Sequence, residues 1–160
     1  MKEIDVWSEI GFGLQFDEAR EVALNNMYVW GAKPGDLLPG ASMPWDEIDF
    51  RKKNSSRRVG TVSWSVPKST PIYGFCLWWE CVLVPGVELS TSPYKKPTHW
   101  DQFFLPLLQP FSATSGDRLD LTIHSDSRYE VGIRVQWEAA VLTRGKTTAR
   151  CLMDTERGLI

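Results

Sequence analysis

Metal-ligating and redox-active side chains are scarce in this sequence: 160 residues hold two histidines and three cysteines. His99 and His124 stand far apart and no CxxC occurs, which argues against a metal site. Cys76 and Cys81 lie an odd separation apart in an apolar run. On one strand they point to opposite faces and cannot bridge each other. With Cys151, they read as reduced thiols of a cytoplasmic chain. No apolar run approaches the ~18 residues of a membrane-spanning helix, and Met1–Trp7 lacks the apolar stretch of a secretory signal. An excess of positive charge is lacking too: 18 Lys and Arg stand against 20 Asp and Glu, a formal net of −2. That argues against DNA held by bulk charge.

Familiar catalytic signatures are equally thin. No GxSxG occurs, and the apolar surroundings of Cys76 and Cys81 raise a thiol pKa, so covalent hydrolysis finds no nucleophile. Gly11-Phe12-Gly13 is a GxG without the third glycine that a phosphate-cradling turn needs for close helix packing, so no cofactor-binding residue is assigned. Asp46, Glu47 and Asp49 cluster without apolar neighbours to perturb them, and read as a solvated acidic edge.

Tryptophan is plentiful, with eight in the chain. Side chains this large belong in a core, a pocket or an interface. The length suits one domain with its own core and is short for an enzyme with separate cofactor and substrate domains.

The hydrophobic pattern predicts a mainly β fold, an antiparallel barrel or sandwich, with one helical segment near the N-terminus. Residues 4–13 read as a short strand region. Phe16 to Tyr28 reads as a helix, with Asp17 and Glu18 in its first turn and Ala19, Val22, Ala23 and Met27 at helical spacing. Glycines and prolines make 31–45 irregular. Strands follow over Ile48–Phe50, Val59–Val66, Ile72–Val84, Val87–Thr91, His99–Leu105, Arg118–Ser125 and Tyr129–Trp137. Arg51–Arg58 reads as a solvated loop. The run Ile72–Val84 is apolar on both faces, which implies cover on both sides or an interface. Domain boundaries are expected at 1–145, with a loose polar tail over 146–160.

Thr98-His99-Trp100 is the most chemically suggestive stretch. It joins a hydroxyl, an imidazole that titrates near neutral pH and an indole that offers a flat face to a cation.

Leu89-Ser-Thr-Ser-Pro93, Pro97-Thr-His-Trp100 and Gln102 closely resemble the C-terminal β-barrel domain of protein arginine N-methyltransferases, which carries a "THW loop" in this setting. Phe75-Cys-Leu-Trp-Trp79 is similar to the family's apolar strand before the loop, and Ser115-Gly-Asp-Arg-Leu119 to the turn after it. The resemblance covers roughly residues 5–140. It implies an S-adenosylmethionine-dependent methyl transfer to a guanidinium nitrogen, with the cofactor held by a Rossmann-like domain outside these residues. This chain would supply one wall of the arginine cleft and a dimerisation arm, about 14–45, and would be inactive alone. His99 would pair with a carboxylate of the other half and orient the site or relay a proton. Trp100 would line the arginine pocket and Thr98 would fix the loop. Asp101 departs from the family, where a basic or neutral residue is commoner. The implied partners are the cofactor domain, an arginine-containing protein substrate and, with the full enzyme present, a second copy, with no DNA and no membrane. The alternative is a stand-alone, non-catalytic barrel module that binds peptides or another protein. A tryptophan-rich carbohydrate-binding sandwich leaves Pro97-Thr-His-Trp100 unexplained.

Overall fold

The structure, a computed structural model, describes residues 6–8 and 13–158. It is mainly β, with one helix, α1 (Asp17–Leu24), near the N-terminus. The strands are β1 (Tyr28–Trp30), β2 (Arg57–Ser65), β3 (Thr70–Leu77), β4 (Glu80–Val84), β5 (Val87–Ser90), β6 (Gln102–Ala113), β7 (Arg118–Asp126), β8 (Arg134–Thr143) and β9 (Lys146–Asp154). They form sheets of order β1-β6-β3 and β2-β7-β8-β9, and a separate β4-β5 hairpin. Every pairing is antiparallel.

The two larger sheets bury their inner faces against each other. Leu105 and Leu107 of β6 face Leu119, Leu121 and Ile123 of β7 and Val135, Trp137 and Ala139 of β8 in one buried cluster. Trp137 is wholly buried, and its indole N–H donates to the Pro106 carbonyl at 2.8 Å, joining the sheets by a satisfied polar contact. Pro106 sits inside the middle strand β6, where a missing N–H would break the ladder. The β3–β6 register shifts between Ile72 and Gly74, which accommodates it. Gly74 is required there: a Cβ would stand 2.3 Å from the Leu105 carbonyl oxygen and 2.6 Å from the Phe104 ring.

The helix is shorter than the expected Phe16–Tyr28. It ends because Asn25 and Asn26 turn their amides back onto helix carbonyls, Asn25 Nδ2 to Glu21 O and Asn26 Nδ2 to Val22 O, each at 2.9 Å. Tyr28 then belongs to β1. Of the strand expected over 4–13, Val6–Ser8 forms a 3-10 turn, while Gly11 and Phe12 lie outside the described residues. Ile48–Phe50 is not a strand: Asp49 instead caps a bend by accepting from the Arg51 backbone and guanidinium. Arg57 and Arg58, expected in a loop, begin β2, and Arg58 is ion-paired with Asp46.

The apolar run 72–84 is two strands, not one. It breaks at Trp78-Trp79, and β4 leaves for the hairpin, where Val82, Leu83 and Val84 are exposed rather than covered on both sides. His99 to Asp101 precede β6 instead of opening it. Tyr129–Ile133 is a turn held by the Asp126–Arg128 ion pair, and Tyr129 is fully exposed.

The expected loose tail is a further correction. Residues 146–154 form β9, paired with β8 from Gln136 to Thr143, and Thr155–Gly158 adds a 3-10 turn. Arg144 and Gly145 take positive φ (51° and 79°) and reverse the chain. Asn25 secures the far end by accepting from the Asp154 N–H at 2.8 Å.

Candidate functional site

The site lies on the loop before β6, where the chain leaves the hairpin and enters the middle strand of a sheet. Its floor is polar and buried. Ser90, Thr91 and Ser92 are at most 8% exposed, and each satisfies a neighbour. Ser90 Oγ donates to Glu80 at 3.0 Å and accepts from the Ser92 N–H at 3.1 Å. Thr91 holds Trp79 from both sides: its N–H donates to the Trp79 carbonyl at 3.0 Å, and its Oγ1 accepts from the Trp79 N–H at 3.1 Å.

Gln102 closes the floor. Its Nε2 donates to the Thr91 carbonyl at 2.6 Å, and its Oε1 accepts from the Ala32 N–H at 2.8 Å. One buried amide thus ties the hydroxyl segment to the chain just after β1, with donor and acceptor both used.

Thr98, His99 and Trp100 stand above this floor. Thr98 Oγ1 donates to the Trp100 carbonyl at 2.9 Å and accepts from the Trp100 N–H at 3.3 Å, a hydroxyl-closed turn that fixes the loop locally. The Trp100 ring is 54% exposed. It packs against Trp79 with ring centroids 5.9 Å apart and planes at 57°. The His99 imidazole meets the Trp100 ring edge-on at 6.5 Å and is exposed. Trp78 packs instead on Tyr94, at 6.2 Å. Beside Trp100 a shallow recess of about 210 Å³ is lined by Gly31, Ala32, Thr91, Lys95, Thr98 and Asp101, among others.

All three residues singled out from the sequence are therefore together and at the surface. Trp79, Thr91 and Asp101 were not assigned to the site from sequence. Although adjacent, Trp78 and Trp79 serve different partners, Tyr94 and Trp100. The hydroxyl run Ser90-Thr-Ser92 directly after a strand was the available signal for a polar floor.

An exposed indole pair beside an exposed imidazole can receive a cation on its ring faces. Burial pushes the Cys76 thiol up to about 11, with the Asp36 charge adding to it, so it stays protonated and inert. Asp46 is held below the usual carboxylate range chiefly by its hydrogen bond from Arg58, and Asp49 by its bond from Arg51. The acidic edge is thus ion-paired to the neighbouring basic segment, and these carboxylates are poor proton donors.

The sequence matches a family described as the arginine methyltransferase oligomerization subdomain over residues 1–140. No curated protein matches it. Solved structures that share the fold include two arginine methyltransferases. The Trypanosoma brucei PRMT1 enzyme–prozyme heterotetrameric complex with AdoHcy superposes with a TM-score of 0.78 at 14% identity, covering 96% of this chain and 50% of that one. Arabidopsis thaliana protein arginine methyltransferase 10, in an open conformation, superposes with a TM-score of 0.70 at 16% identity, again covering 96% and 50%. The chain therefore spans about half the length of these two relatives. With the family match extending over most of the sequence, the chain belongs to the arginine methyltransferase oligomerization subdomain family.

Proposed function

We propose that this chain is the barrel half of an S-adenosylmethionine-dependent protein arginine N-methyltransferase, and that Thr98–Trp100 forms part of one wall of its arginine cleft. The observation that carries this reading is the exposed Trp79–Trp100 ring pair with the exposed His99 imidazole beside it. Trp100 presents a face on which a planar guanidinium can stack. Thr98 fixes the backbone of the loop that carries it. The His99 ring makes no hydrogen bond among the described residues, so it is available to a carboxylate from a facing domain. Held that way, it would orient the substrate nitrogen or carry its proton away.

The residues present do not suit S-adenosylmethionine. All strand pairings are antiparallel, and the helix follows no glycine-rich βα turn among the described residues. The cofactor is assigned to the other half of the enzyme. The trypanosome complex contains AdoHcy, which is consistent with S-adenosylmethionine in the full enzyme. Residues 14–45 are assigned as the arm that grips a second copy once the full enzyme is assembled, and the isolated chain as inactive and cytoplasmic.

Two measurements test this. Calorimetry of the 160-residue chain with S-adenosylmethionine is expected to show no binding. Methyl transfer by the enzyme assembled with its cofactor half is expected to fall by ~100-fold in His99→Ala, with the melting temperature unchanged. Micromolar cofactor binding by the chain alone, or undiminished transfer by His99→Ala, overturns the proposal.

A further inference from the structure

The recess beside Trp100 has a wall that the proposed arginine cleft does not use. Gly31 and Ala32 line it, and the Asp101 carboxylate lies over Gly31, where a Cβ would stand 3.5 Å from Asp101 Oδ1. Among the described residues this carboxylate accepts no hydrogen bond and meets no cation. The one other charged residue in the lining, Lys95, has its ammonium 3.2 Å from Glu80 Oε1, so its charge is already answered. Lys96 is not part of the lining. The recess therefore presents one uncompensated charge, and it is negative.

The Trp100 ring lines the same recess. The Thr98 hydroxyl holds the Trp100 backbone and the Trp79 ring packs against the indole, so the ring's freedom is limited before any ligand arrives. An exposed indole face and an unpaired carboxylate in one recess favour a cationic group twice over, through the ring quadrupole and through a charge-assisted hydrogen bond. A neutral side chain gains neither contact, and a carboxylate is repelled.

We infer that this recess is a subsite for a second cationic side chain, a lysine or arginine close in sequence to the arginine that meets His99. The ligand class is then a polypeptide segment carrying basic residues beside its target, and Asp101 is the residue that selects it. This rests on the arginine-cleft reading of Thr98–Trp100.

The test follows the indole and backbone resonances of the 160-residue chain by NMR during titration with three short peptides. One has a central arginine with glycine flanks, one the same arginine with lysine flanks, and one citrulline in place of the arginine. The lysine-flanked peptide is expected to bind about threefold tighter than the glycine-flanked one, the size of one partly exposed ion pair. Asp101→Asn, an isosteric change at an exposed position, should abolish that advantage. Glu88→Gln, which removes the same charge from the exposed hairpin, should retain it. No advantage in the native chain, or equal loss in both variants, overturns the subsite. Equal binding of the arginine and citrulline peptides instead overturns the cleft reading, and the subsite falls with it.

Discussion

Gln102 donates to the Thr91 carbonyl at 2.6 Å while accepting from the Ala32 N–H, so a single buried side chain joins the floor of the site to the segment after β1. Gln102→Ala strands the buried Thr91 carbonyl, while the half-buried Ala32 N–H keeps the Trp30 carbonyl at 2.9 Å. An unsatisfied buried group costs about 1–3 kcal/mol. Urea denaturation is expected to show a loss in that range, and the Trp79 and Trp100 indole resonances should broaden. A variant as stable as the native chain refutes the bridge.

Gly74 is the second sensitive point, since the β3–β6 contact leaves no room for a Cβ. Gly74→Ala is expected to lose about 1–3 kcal/mol, as overpacking generally does. Gly35→Ala provides the contrast: nothing lies within 4 Å of its Cβ position, and its φ is not positive. Its melting temperature should match the native one. Equal effects at both positions would remove the steric argument.

Acid should weaken the fold. The hydrogen bond from Arg128 first, and the Arg57 contact besides, hold the Asp126 carboxyl well below its ordinary range; Arg58 does the same for Asp46. A carboxyl depressed in the folded state stabilises above its unfolded pKa of about 4, and that contribution is lost as pH falls through the folded value. Thermal scans are expected to give a level melting temperature from pH 8 to 6 and a decline below about pH 4. The decline should be shallower in Asp126→Asn. A melting temperature that rises on acidification contradicts this.

Truncation after Arg144 removes β9. The variant would uncover the β8 edge and the inner face that Met153 fills, so it should fail to unfold cooperatively in a denaturant titration. A cooperative transition near the native midpoint would show that β9 is dispensable.

Alternation made β7 legible, because Leu119, Leu121 and Ile123 fall on one buried face. The same rule misread Tyr129–Ile133, where the alternation is genuine but the residues turn through solvent. It missed β9 for the opposite reason. Lys146, Thr148 and Arg150 give the tail a polar look, while Ala149, Cys151 and Met153 between them turn to the core. Thr98, His99 and Trp100 stood out by composition, yet their use depends on Trp79 and on Gln102. Gln102 acts on Ala32 across 70 positions. No local pattern encodes a bond of that span, so the loop was readable and its support was not.

The clamp between Asn25 and Asp154 reaches across 129 positions of chain. A helix that emerges early thus finds its anchor only when the last strand has been made. At about 5–20 residues per second, synthesis leaves α1 waiting on the order of ten seconds for that partner. Such distant closure makes folding slow, because the chain entropy is lost before the contact rewards it.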